Sequence, residues 1–217
     1  MPNRNNTRAI IFDVSGTLMD DIRSVWQANA DAYRAYGIGG FKTLEEFRER
    51  IRLPIAQFHR DNNVPPHLME SVDRKFREIY PVYAPLIDVF PEVAGVLAEL
   101  QSRNILLGVV SSIPTQFLSE HLQDFALDRY FTALIGQEDC DEQKPSPKPL
   151  LAALDLLGVD KQDAMYVGDM EEDMMAAKAA GITATAITRK EGYHSRRRLE
   201  KQKPDYFISD LNELLFV

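Results

Sequence analysis

The sequence predicts an α/β fold, with an all-helical segment placed directly after the first strand. Three observations carry this. Short apolar runs recur at 9–12, 105–110, 131–135, 164–167 and 182–187, without strict alternation, as in strands buried on both faces. From Pro91 onward, helix-periodic segments separate these runs, and such alternation implies a mainly parallel, Rossmann-like sheet with helices on both faces. Residues 21–87, by contrast, carry helical periodicity and no convincing strand. The expected division is a core of 1–20 with 88–217 and a helical cap of 21–87.

The first run stops at Asp13, and Gly16 permits a sharp turn just beyond it. Asp20 is expected to cap the next helix. In that helix Ile22, Val25, Trp26, Ala32, Tyr33 and Tyr36 share one face, and Gly37 closes it. Thr43 and Glu46 predict a capping box for a second helix. Pro54 ends or kinks that helix, and a short third one follows. Pro65-Pro66 opens a fourth, with Leu68, Val72, Phe76 and Ile79 at helical spacing. Beyond Pro91, Val93, Val96, Leu97 and Leu100 mark an amphipathic helix. The strand at 105–110 ends in Ser111-Ser112, and Phe117, Leu118, His121, Leu122 and Phe125 mark a helix over 114–125. After the strand at 131–135, the loop Lys144-Pro145-Ser146-Pro147 leads into a helix over 149–157, closed by Gly158. The strand at 164–167 ends in Gly168-Asp169, and a helix over 171–180 ends at Gly181. A strand at 182–187, a short one at 206–208 and a last helix capped by Asp210 and Glu213 complete the chain.

The 217 residues suffice for one large domain, or one domain with an insert. Composition is 45% hydrophobic and 27% charged, ordinary for a globular protein. The net charge of −8 argues against nucleic acid as a partner, since phosphate backbones need Lys and Arg. The cluster Arg196-Arg197-Arg198 with Lys201 and Lys203 reads as a solvated helix face. Cys140 is the only cysteine, so no internal disulfide forms, which suits a cytoplasmic location. Residues 1–8 lack a signal-peptide core and no run is long enough to span a membrane, so no membrane partner is expected. A monomer or homodimer is expected.

Four strand ends or the loops after them carry polar residues suited to one task. Asp13, Ser111, Lys144 and Asp169 are far apart in sequence, but parallel strands put their carboxyl ends on one edge, where ligands bind. Two carboxylates, a hydroxyl and an ammonium fit a divalent cation and a phosphate.

At these positions the chain resembles the haloacid dehalogenase-like superfamily of phosphohydrolases. The matching pieces are Asp13-Val14-Ser15-Gly16-Thr17-Leu18, Val110-Ser111-Ser112, Lys144-Pro145-Ser146-Pro147 and Gly168-Asp169 with Asp173, in the family's order. The likeness is greatest to the phosphoglycolate phosphatase-like branch, with a helical cap between the first two pieces. It implies a Mg²⁺-dependent phosphatase of a small phosphorylated metabolite. Asp13 would be the nucleophile and a metal ligand. Gly16, Thr17, Ser111 and Ser112 would hold phosphate, and Lys144 would neutralise both nucleophile and phosphoryl group. Asp169 would bind Mg²⁺ with the backbone carbonyl of Ser15, and Asp173 would support the metal shell or Lys144.

Position 15 departs from the family. Its phosphatases usually carry a second Asp there, which protonates the leaving oxygen and later activates water. Ser15 cannot do that work, and loss of a general acid costs about 10²–10⁴-fold. Three expectations follow: a phosphatase with weak or relocated acid–base chemistry; a hydrolase whose substrate needs no acid, such as an acyl phosphate or phosphonate; or a catalytically impaired protein that binds a phosphometabolite. A Schiff-base lysine of the phosphonate-cleaving kind is absent from 50–59. A response-regulator-like receiver also uses an acidic pocket with a Lys, but the helical insert argues against it. Arg48, Arg50 and Arg52 are candidates to meet an anionic tail, against a reading as surface charges. His59 is a candidate for the cleft, against packing.

Overall fold

A computed structural model describes residues 7–216. Its centre is a parallel sheet of six strands in the order β5–β4–β1–β6–β7–β8. These are β1 (Ala9–Phe12), β4 (Leu106–Val110), β5 (Ala133–Ile135), β6 (Ala164–Gly168), β7 (Thr183–Ile187) and β8 (Tyr206–Ile208). Between β1 and β4 lie β2 (Met19–Asp20), α1 (Ile22–Ala35), α2 (Leu44–Arg50), α3 (Ile55–Asp61), α4 (Met69–Tyr83), β3 (Asp88–Val89) and α5 (Val93–Ser102). The crossovers of the sheet carry α6 (Thr115–Asp124), α7 (Lys148–Leu157), α8 (Glu171–Ala180) and α9 (Arg196–Lys201). None of these helices is long and apolar enough to cross a membrane.

Strand alternation divides the core. Ile10 and Phe12 face one layer with Leu107, Val109, Met165 and Val167, packed on Val93, Val96, Leu97 and Leu100 of α5 and Phe117, Leu118 and Leu122 of α6. Ala9 and Ile11 face the other, packed on Leu150, Ala153, Leu154 and Leu157 of α7 and Met174, Ala177 and Ala180 of α8. Burial on both faces is the reason these strands read as unbroken apolar runs. Ile11 pairs with Gly108 on one side and Tyr166 on the other, so β1 is the strand from which the chain winds both ways. The crevice at the carboxyl end of such a switch point is where ligands bind.

Residues 22–86 contain only helices and 3₁₀ turns. Their core joins Ile22, Tyr33, Phe41, Phe47, Phe58 and Val72, and it takes in Met170 and Tyr193 from the sheet side. The structure adds one element to the expected set: β2 and β3 form a two-stranded antiparallel ribbon, Met19 opposite Val89, at the root of the helical segment. Three details differ from expectation. The residue before α1 is Asp21, not Asp20, and its side chain makes no capping bond. Thr43 accepts from the Glu46 N–H, but the Glu46 carboxylate turns to the N–H of Lys42 rather than closing the box on Thr43. The last helix is a 3₁₀ segment, Leu211–Phe216, held by Asp210 on the Asn212 N–H and Glu213 on those of Ser209 and Asp210.

His194 ties the helical segment to the sheet. Its Nδ1 accepts from the Glu171 N–H at 2.9 Å, and its Nε2 donates to the Ile51 carbonyl at 3.1 Å. Burial, with Arg198 nearby, lowers its pKa to about 4. An imidazole that must stay neutral when folded contributes stability fully above its unfolded pKa of about 6.5 and loses it as pH falls toward 4. The expected loss across that window is about 3 kcal/mol. Because the buried carboxyl groups of Asp13 and Asp21 contribute more stability as pH falls, the His194 contribution is read as a difference: from pH 7 to 4 the native protein should lose stability relative to His194→Gln, measured by denaturation midpoints at each step.

Candidate active site

The site is built where β1, β4 and β6 end. The Asp13 N–H donates to the Val167 carbonyl at 2.8 Å, which continues the sheet by one residue and sets the Asp13 carboxylate at its lip. Lys144 enters from the loop after β5 and is 2% exposed. Its Nζ donates to Asp13 Oδ1 at 2.7 Å, to Asp173 Oδ1 at 2.6 Å and to Tyr166 Oη at 2.9 Å. Burial alone would lower the Lys144 pKa, but Asp13 and Asp173 outweigh it and hold it above the ordinary lysine range. For Asp13 the balance is the reverse: burial prevails over Lys144 and lifts its pKa to about 7.

Asp169, the residue after β6, is wholly buried. Its Oδ2 accepts from the Tyr193 N–H at 2.8 Å, while Oδ1 has no partner among the described residues. Burial, then Asp13 and Asp173, push its pKa well above the carboxylate range. Carboxylate oxygens of Asp13, Asp169 and Asp173 lie within 4.8 Å of one another. Two glycines permit this crowding. A Cβ on Gly16, at φ +73°, would stand 2.2 Å from Asp169 Oδ2, and one on Gly168 would stand 2.5 Å from Asp173. A wholly buried carboxylate oxygen without a donor, set among other carboxylates, fits a hard divalent cation bound through oxygen. Asp173 has less to offer, because Oδ1 receives Lys144 and Oδ2 receives the Met170 N–H at 2.8 Å.

The other expected site residues divide. Ser111 and Ser112 line the cleft with Asp13, Ser15 and Lys144. The Ser111 Oγ also accepts from the Ile113 N–H at 3.2 Å, which turns the chain after β4. Thr17 is fully buried behind Gly16. Its Oγ1 has no partner among the described residues, and its carbonyl accepts from Arg189. Ser15 is half-buried, and its Oγ donates to Asp21 Oδ2 at 2.6 Å. The other oxygen of Asp21 accepts from Tyr193 Oη at 3.1 Å. Burial raises the Asp21 pKa to about 6 against those two hydrogen bonds.

Asp21, Tyr166 and Tyr193 were not among the expected residues. The doubled Asp20-Asp21 was the only trace of the first, since one helix start needs one cap. The cleft opens between the sheet edge and the helices, enclosing about 100 Å³. His59 does line it, but both ring nitrogens are occupied, by Tyr33 at 2.9 Å and Asp73 at 2.8 Å. Arg48, Arg50 and Arg52 do not line it; they pair with Glu45, Glu46 and Asp61 on the surface. The arginine that does is Arg77, one α4 turn from Asp73 and Tyr80 on the same face, a spacing visible in the sequence. Of the basic cluster, Arg198 is half-buried on Glu171 and on the Arg48 carbonyl. Burial and the neighbouring Asp139 and Asp141 raise the Cys140 pKa, opposite to what a nucleophilic thiol needs.

This arrangement can be set beside known proteins. The family model of haloacid dehalogenase-like hydrolases matches residues 10–187. The PpaX protein of Caldanaerobacter subterraneus subsp. tengcongensis is 32% identical over 210 residues, covering 95% of this chain and 92% of that one. Phosphoglycolate phosphatase 1 of Pseudomonas aeruginosa is 28% identical over 215 residues, covering 96% of this chain and 78% of its own. A haloacid dehalogenase-like hydrolase from Streptococcus pneumoniae superposes with a TM-score of 0.84 at 22% identity, covering 97% of this chain and 98% of that one, and shares the fold. With its motifs in order and its acidic pocket at the switch point of the sheet, the chain belongs to the haloacid dehalogenase-like hydrolase family.

Proposed function

We propose that this hydrolase is a Mg²⁺-dependent phosphomonoesterase of a small phosphorylated metabolite, working through an aspartyl-phosphate at Asp13. The observation that carries it is the Asp13–Lys144–Asp173 chain of contacts, 2.7 and 2.6 Å, beside the unpartnered Asp169 oxygen. The phosphatase name of the Pseudomonas relative supports phosphoryl transfer as the chemistry.

Asp13 and Asp169 would hold the cation with the Ser15 carbonyl, and Asp173 would serve Lys144. When bound, the cation supplies charge neutralisation for the phosphoryl oxygens. Asp13 attacks phosphorus with a carboxylate oxygen, kept available by Lys144, whose ammonium offsets the crowding of acids. Ser111 and Ser112 border the phosphoryl site, with Gly16 and Thr17 shaping its floor. The helices of 21–87 act as a cap that shuts water out of the cleft. Water then attacks the aspartyl-phosphate without a carboxylate at position 15 to activate it, so release of phosphate is slow.

Intact-mass spectrometry tests this. Incubation with Mg²⁺ and acetyl phosphate should give a species heavier by one phosphoryl group, absent from Asp13→Asn. Its absence from the native protein, with no turnover, leaves only a phosphometabolite-binding role.

The Ser15–Asp21 contact also shapes what restoring the acid would do. Ser15→Asp alone would press a carboxylate against buried Asp21, and two acids in such contact cannot both ionise. Ser15→Asp is therefore expected to lower the melting temperature. Ser15→Asp with Asp21→Ser should restore it and raise kcat for alkyl phosphates by about 10²-fold, read by steady-state phosphate release.

A further inference from the structure

We propose that the substrate is an aryl phosphate, a phosphomonoester whose leaving oxygen is phenolic and whose single ring packs against the helical wall of the cleft. This rests on the phosphatase reading above and adds the class of alcohol.

Two independent observations lead to it. The first is the chemistry of the wall. Beyond Asp13 and Lys144 the cleft is bounded by apolar groups, including Val25 of α1, Leu53 and Ile55 at the start of α3, Phe76 and Tyr80 of α4 and Ile113 after β4. Phe76 and Tyr80 stack with ring centroids 5.2 Å apart, an aromatic surface within the cleft. The charged groups at that end are already matched. Arg77 donates to Glu138 at 2.6 Å and Gln137 at 3.0 Å, and His59 is bonded to Asp73. A carboxylate on the leaving alcohol would lose water and gain no free cation, which is unfavourable. An aromatic ring loses nothing there and gains burial worth about 10–100-fold in affinity. About 100 Å³ of the cleft is enclosed, less than the roughly 150 Å³ of an apolar cavity that admits benzene, so the alcohol has at most one ring, lying partly in the open mouth of the cleft.

The second is the state of position 15. The Ser15 hydroxyl proton points to Asp21, and Tyr193 fills the other oxygen of that carboxylate. Position 15 therefore presents no proton to a leaving oxygen. A phenolate, unlike an alkoxide, leaves without one: a phenol has a pKa near 10, as for tyrosine. In the first step an Asp13 oxygen bonds to phosphorus while the phosphorus–phenolic oxygen bond breaks. Its electron pair leaves on the phenolate, which later takes a proton from water. In the second step water bonds to phosphorus, the Asp13 carboxylate departs with the electron pair of its bond, and the water proton goes to solvent, giving inorganic phosphate.

The test uses the full chain with Mg²⁺ and four probes: acetyl phosphate, phenyl phosphate, cyclohexyl phosphate and phosphoglycolate. Phenyl phosphate should exceed phosphoglycolate in kcat/KM by at least about 100-fold and give a burst of phenol. Cyclohexyl phosphate should compete with a similar KM but turn over at least about 100-fold more slowly. Phe76→Ala should raise the KM for phenyl phosphate about tenfold with little change in kcat; if it does not fold, Leu53→Asn reads the same wall. Acetyl phosphate turnover with phosphoglycolate equal to or better than phenyl phosphate overturns the aryl assignment and leaves the phosphatase reading standing. An unchanged KM in a folded wall variant also overturns it. No phosphorylation and no turnover with any probe overturns both.

Discussion

Lys144→Met is expected to destabilise the protein by about 3–5 kcal/mol, the usual penalty for removing one partner of a buried ion pair. The ammonium is 2% exposed and is the only cation in contact with Asp13 and Asp173 among the described residues. Without it those carboxylates, with Asp169 nearby, face each other almost wholly buried, with little water to solvate them. The hydroxyl of Tyr166 cannot replace it, since it is neutral and its one proton is divided between the Val110 carbonyl and Asp173, each 3.1 Å from Oη. Urea denaturation is the measurement. The double variant Lys144→Met with Asp173→Asn should recover part of the loss, because it removes the charge left behind, and that non-additivity would mark the pair as directly coupled. A loss below 1 kcal/mol would mean that water or a counter-ion already screens the acids.

Asp13→Asn should abolish turnover, by at least about 10⁴-fold, as removal of a nucleophile does elsewhere, yet leave a folded protein. The amide keeps the shape and the backbone bond to Val167, and Lys144 keeps Asp173. The sign of the stability change follows from the raised pKa of about 7, caused first by burial. A carboxyl group whose pKa rises on folding contributes most below its unfolded value and weakens the fold as pH climbs through 7. Removing that charge should leave the metal-free melting temperature at pH 8 the same or higher. Calorimetry without added metal and steady-state assays with it separate the two effects. Residual activity in Asp13→Asn near the native level would place the nucleophile elsewhere.

The parts of the site that were legible in the chain share a property. Asp13 and Asp169 directly follow uninterrupted apolar runs, and Ser111 does too, so strand ends locate them without knowledge of packing. Lys144 stood out through its proline-punctuated loop. The parts that were not legible depend on contacts across the fold. Arg77 shares a helical face with Asp73 and Tyr80, but only the packing of α4 on α1 decides that this face borders the cleft. Arg48, Arg50 and Arg52 had the right charge and the wrong direction. The β2–β3 ribbon escaped because two-residue strands carry no periodicity. Asp21 looked like half of a capping pair, and its role at Ser15 needed the ring of Tyr193 brought from the far end of the chain.

Local order along the chain determined the α/β class, the helical segment after the first strand, and the family, because strand burial and motif order leave their marks in residue type and spacing. The charge balance of the pocket, the engagement of the Ser15 hydroxyl and the apolar wall of the cleft were decided by the tertiary structure alone. Electrostatic and packing free energies depend on distance in space and on exclusion of water, and neither is a property of neighbouring residues in the sequence.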